Sequence, residues 1–158
     1  MVERERFILA VGYGAMFKGI ADIESPYDGA TDDIIRRNIL YARAACKDAL
    51  LRGYVPYASH LFFTQPGLLD DKVPEERELG MEAGKALIRE AAGYSLFYMD
   101  LGMSKGMQWG KQDAIKSGRI VEEVRILPEP GASLSYAELL ELLRRLELVD
   151  DDYTRLGW

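Results

Sequence analysis

A chain of 158 residues, 48% hydrophobic and 29% charged at a net charge of −6, has the size and balance of one folded domain, not of a disordered tract or a bundle of membrane spans. A single cysteine, Cys46, and a single histidine, His60, exclude an internal disulfide and the usual zinc site, so neither metal nor cofactor is expected. Basic residues interspersed with acids argue against duplex nucleic-acid binding, and short apolar runs with a mixed-charge start give no membrane partner and an expected cytoplasmic location.

Residues 7–11 form a short apolar run ending at Gly12-Tyr13-Gly14 and read as a strand or strand-like arm; the third glycine of a dinucleotide fingerprint is missing. Residues 20–24 read as the first central strand, closed by the turn-forming Ser25-Pro26-Tyr27-Asp28-Gly29. Thr31 or Asp32 can cap a helix whose apolar face is Ile35, Ile39, Ala42, Cys46 and Ala49, with Gly53 as its left-handed end. Residues 55–63 then read as a strand delivering Ser59 and His60 to its far end, and residues 64–73 as a functional loop. Pro74 opens a second helix with Leu79, Ala83, Ala86 and Leu87 on its face and Gly80 and Gly84 alongside. A strand at residues 94–99 leads into a third helix burying Met107, the Lys111 stem, Ala114 and Ile115. Gly118 closes it, and residues 120–127 read as the last strand. Ser135 and Glu138 match a capping box before a leucine-rich helix that packs on its own domain or on a partner subunit.

Strands alternating with helices imply crossover connections and a mostly parallel sheet. The expected fold is a three-layer, Rossmann-like (flavodoxin-like) α/β domain with about five strands and helices on both faces. It is expected to span residues 1–128, with the helix and tail at 129–158 added to it. Ligands of such sheets bind beyond the carboxyl ends of the strands. Here those ends carry Ser25-Pro26-Tyr27, Ser59-His60, and the segment from Asp100 to Gly106. Ser104-Lys105-Gly106-Met107 sets a hydroxyl and backbone donors at a helix amino terminus, which suits a phosphate or carboxylate and equally suits a plain cap. Glu24 ends a central strand, where an unpaired carboxylate is costly, so it is either functional or partnered by an arginine. Asp70 and Asp71 before Lys72 fit a loop acid or a solvated turn, and Asp100 fits a ribose contact or a cap.

The Ser25-Pro26-Tyr27 turn, Asn38, the Leu69-Asp70-Asp71 loop and the Ser104-x-Gly-Met-x-x-Gly helix start, in that order, resemble the nucleoside 2-deoxyribosyltransferase superfamily and its nucleotide N-glycosidase relatives, including a branch common in phage and bacterial genomes. The likeness covers roughly residues 20–127. It implies a homo-oligomer that binds a nucleoside or nucleotide and breaks or exchanges its N-glycosidic bond. A glutamate of the helix-start motif would attack the anomeric carbon, and an acid on another loop would handle the base proton. The family motif reads Gly-Met-Glu-x-Gly, whereas this chain has Gly106-Met107-Gln108-Trp109-Gly110, a neutral amide at the nucleophile position. Gly80-Met81-Glu82-Ala83-Gly84 fits the letters better but lies inside a helix, where Glu82 reads as solvated. The catalytic candidates are therefore Gln108, Asp70, Asp71 and Glu24; the ligand-binding candidates are Ser25, Pro26, Tyr27, His60, Asp100, Gly102, Ser104, Gly106 and Met107. Gln108 keeps open a non-catalytic binder or sensor of a nucleotide-derived molecule, and the leucine-rich helix keeps open an assembly protein.

Overall fold

The computed structural model describes residues 17–150. Four parallel strands, β1 (Gly19–Glu24), β2 (Tyr54–Tyr57), β3 (Ala92–Tyr98) and β4 (Ile120–Val124), form one sheet in the order β2-β1-β3-β4. Helix α1 (Asp32–Leu51) joins β1 to β2, α2 (Ser59–Phe62) and α3 (Pro74–Ala91) join β2 to β3, α4 (Lys105–Lys116) joins β3 to β4, and α5 (Tyr136–Arg145) follows. This is the expected Rossmann-like, flavodoxin-like α/β fold, with four strands among the described residues. The arm expected at residues 7–11 and the tail at 153–158 lie outside them. No described helix is long and apolar enough to cross a membrane.

Local chemistry sets the elements. Thr31 Oγ1 caps α1 by accepting from Ile34 N at 3.2 Å, and Gly53, at a φ of 88°, carries the chain out of its far end. Side chains alternate along β1, so Ala21 and Ile23 enter the main core with Leu96 and Tyr98 of β3. Leu40 and Tyr41 of α1 and Leu139 and Leu143 of α5 close that core. The other sheet face carries Asp22 and Glu24 of β1 beside Ser95 and Phe97 of β3, and it is covered by α3 and α4.

Several elements depart from the sequence reading. The strand expected over residues 55–63 stops at Tyr57, because the chain turns helical there: the Leu61 and Phe62 N–H groups turn back to Ala58 O. Ser59 and His60 therefore sit on a helical turn. In α3 the buried residues are Gly80, Gly84 and Ile88, while Leu79 and Leu87 are 61% and 43% exposed. A Cβ on Gly84 would lie 2.7 Å from Ser59 Cβ, so the glycine edge is the one that makes the close approach and the leucines turn outward. In α4, Met107 and Ala114 are buried but Ile115 faces solvent. β4 ends at Val124 because the Ile126 and Leu127 N–H groups donate to the Asp100 carboxylate instead of a neighbouring strand.

Candidate functional site

β1 is central and its neighbours β2 and β3 are reached by crossovers in opposite directions, so the sheet reverses its winding there and a crevice opens beyond the carboxyl ends. The crevice is a cavity of about 390 Å³. Glu24, Ser25 and Tyr27 line it from the end of β1, Ser59 and His60 from α2, Asp71 from the long loop, Glu76 and Arg77 from α3, and Ser104 to Met107 from the start of α4.

Each wall has an identifiable support. Asn38 of α1 donates from Nδ2 to the carbonyls of Tyr27 (3.0 Å) and Asp28 (3.2 Å), fixing the turn after β1. Ser25 Oγ lies 2.9 Å from His60 Nε2, and the Tyr27 ring meets the imidazole edge-on at 6.3 Å between centroids. Burial lowers the His60 pKa to about 4, so its ring is neutral near pH 7. Arg77 bridges Asp71 (3.5 Å) and Asp28 (3.9 Å) at the rim. Ser104 caps α4 by accepting from Met107 N at 3.2 Å, and the first-turn N–H groups of Lys105 and Gly106, which no helical carbonyl can serve, lie at the cavity wall.

The chemistry concentrates on Glu24. Asp22 and Glu24 sit two residues apart on one strand, so their carboxyls share a face of the sheet and interact directly. Burial pushes Asp22 up to about 6, against the pull of Glu24, Arg119 and Ser95. Glu24 is held well above the usual carboxylate range by its own burial, then by the charge and hydrogen bond of Asp22. Two carboxyls this close in a desolvated site share a proton. Room for the Glu24 head comes from Gly110 of α4: a Cβ there would stand 2.9 Å from Glu24 Cδ and closer still to Oε1. Arg119, 9% exposed, is the cation whose charge pulls both carboxyl pKa values down; it donates to Ser95 Oγ (3.0 Å) and to Asp113 Oδ2 (2.8 Å).

The cavity thus gathers Glu24, Ser25, Tyr27, His60, Asp71, Ser104, Gly106 and Met107, and it leaves out other expected residues. Gln108 is on the exposed outer side of α4, because Met107 and Ala114 set that helix's inward face and Gly106 its cavity edge. Asp100 is 2% exposed and structural: it accepts from Tyr41 Oη (2.7 Å), Ile126 N (2.9 Å) and Leu127 N (3.2 Å). Gly102 is an exposed turn residue at a φ of 91°, and Pro26 directs the chain without lining the cavity. Asp70 shapes its loop by accepting from Lys72 N at 2.9 Å and borders only the neighbouring hollow of the long loop. Glu82 is exposed and paired with Lys85 at 2.7 Å. Asp22 and Arg119 belong to the site although the sequence reading does not single them out. The legible signal was the pattern Ile20-Ala21-Asp22-Ile23-Glu24, since a central parallel strand is covered on both faces and two acids on one of them need a reason.

No curated protein and no solved structure matches the chain. One family model matches residues 20–124, which run from β1 to the end of β4 and include the strand and helix ends that build the cavity. The chain therefore belongs to the family described as Domain of unknown function (DUF7768).

Proposed function

We propose that the cavity binds a nucleoside or nucleoside monophosphate and that the protein cleaves its N-glycosidic bond, with Glu24 in place of the motif glutamate. The observation that carries this reading is Glu24 itself: a carboxyl whose pKa is raised by burial and by the neighbouring Asp22, at a cavity of nucleoside size, beside Tyr27 and His60. In hydrolysis the C1′–N bond breaks with its electron pair moving to the base. The proton on the Glu24 carboxyl goes to the departing base. Water adds at C1′ and its proton returns to the carboxylate, so nucleoside and water give base and pentose. An acceptor base in place of water would make the same site a transferase.

Charge bounds the substrate. Apart from Glu24, the cavity carries Asp28, Asp71 and Glu76 against Arg77 and Lys105, with His60 neutral, which favours a nucleoside or monophosphate over a polyphosphate. A single phosphate would lie on the α4 amino terminus near Lys105. The exposed Leu79 and Leu87 of α3 suit the homo-oligomer that the resemblance implies.

The test is chromatographic: purified protein is incubated with a panel of ribo- and deoxyribonucleosides and their monophosphates, and free base is measured. Base release is expected from at least one member, and Glu24→Gln should lower that rate by at least about 100-fold while the fold survives. Titration calorimetry on the same panel covers the binding-only alternative. Binding without release from any member would discard the catalytic reading, and neither would discard both.

A further inference from the structure

On the far side of Glu24 a second cleft, about 500 Å³, runs between α3 and α4 down to the sheet. It shares Glu24, Ser59, Met81, Lys105 and Gly106 with the first cavity, so the two meet at the Glu24 carboxyl. Its floor is polar: Asp22 and Glu24 from β1, and Arg119. Arg119 uses Nε and Nη2 on Ser95 and Asp113, but its buried Nη1 has no hydrogen-bond partner among the described residues. Its sides mix apolar and basic groups: Met81, Lys85, Ile88 and Arg89 from α3, and Lys105 and Trp109, the latter 75% exposed, from α4.

A buried donor without a partner is costly, and an indole left mostly exposed at the mouth of a polar-floored cleft is only partly packed in the free protein. Both are accounted for by a ligand that is planar and bears donors and acceptors along one edge. A proton-sharing carboxyl pair presents one O–H and several lone pairs, which match an edge carrying both kinds of group, while Nη1 supplies a further donor. A phosphate would fit this floor poorly, since it would face two carboxyls.

We propose that the second cleft is a nucleobase site, in which the ring stacks on Trp109 and sets its hydrogen-bonding edge against Asp22, Glu24 and Arg119. This rests on the glycosidic reading and refines it: the nucleoside straddles Glu24 instead of lying wholly in the first cavity, with the pentose in the first cavity, the base in the second and the bond between them at Glu24.

Free adenine, hypoxanthine, cytosine and thymine are titrated into the Trp158→Phe variant, in which Trp109 is the only tryptophan, and indole fluorescence is followed with ribose 5-phosphate as the control for the first cavity. Saturable quenching by at least one base and none by ribose 5-phosphate is expected. In calorimetry Trp109→Ala should weaken base binding about ten-fold, as expected for loss of one stacking partner. Because Trp109 is exposed, that variant keeps the fold, and circular dichroism checks it. Absence of saturable quenching by every base, or unchanged base affinity in Trp109→Ala, overturns the proposal. Base release without base quenching would leave the glycosidic reading standing and remove this one; quenching without base release would do the reverse.

Discussion

Glu24 has room for its head group only because position 110 has no side chain, and that dependence can be measured. Gly110→Ala forces the carboxyl to move, since the new methyl would stand within 3 Å of Glu24 Cδ, at 2.9 Å. α4 itself should gain from the exchange, because alanine is the better helix former by about 1 kcal/mol. The expected outcome is loss of at least about ten-fold in base release with thermal stability held or raised, read from parallel activity and melting measurements. A variant with full activity would show that the Glu24 position is not critical. Gln108→Glu is the matching control: its side chain is on the outer surface of α4, so it should change neither base release nor nucleoside affinity. Restoration or gain of activity in Gln108→Glu would instead return the motif position to the site.

At the scale of elements, α3 owes its seat to the glycine edge, and α2 rides on it. Gly84→Ala presses a methyl against Ser59 and should cost about 1–3 kcal/mol by overpacking, with a further loss of ligand affinity because His60 is the next residue on the same short turn. Denaturant unfolding and nucleoside titration of one preparation separate the two effects. α5 shows the opposite case. Leu139 and Leu143 are fully buried in the core that α1 and the sheet share, so Leu139→Ala should destabilise by about 2–5 kcal/mol while leaving the distant cavity's affinity unchanged. These two helices also show where sequence periodicity was enough and where it was not. The leucines of α5 follow a 3.6-residue period and the capping box at Ser135 and Glu138 marks its start, so element and buried face were both legible. In α3 the apolar count pointed to Leu79 and Leu87, yet close approach at Gly80 and Gly84 decided the orientation, and steric fit between two backbones leaves no periodic mark. The same limit explains Gln108: its motif position was readable, whereas the rotation of α4 that turns it outward is set by Met107 and Ala114 together.

For the molecule as a whole, two buried titratable centres act on stability with opposite signs, which makes pH the most discriminating variable. The folded-state pKa of Asp22 is raised from 3.8 to about 6 and that of Glu24 is raised as well, so the folded protein holds these protons more tightly than the unfolded chain does. Their contribution is most favourable below the unfolded values and is lost as pH rises through about 6. His60 runs the other way: its pKa falls from 6.5 to about 4, so its contribution is present above 6.5 and is lost as pH falls towards 4. Asp113 and Arg119 face the carboxyl pair, while Lys85, Arg89 and Lys105 line the cleft above it. Each slope can be isolated by difference. Asp22→Asn removes one carboxyl of the pair, so its melting temperature relative to the parent should rise from near zero at pH 4 to a clear gain at pH 8. His60→Gln should show its most favourable difference at pH 4 and its least favourable at pH 8, because the parent alone must keep a neutral imidazole at acid pH. Differences that do not vary with pH would mean that neither group changes its proton affinity on folding. The buried, proton-sharing carboxyl on which both the glycosidic reading and the base site depend would then have no basis.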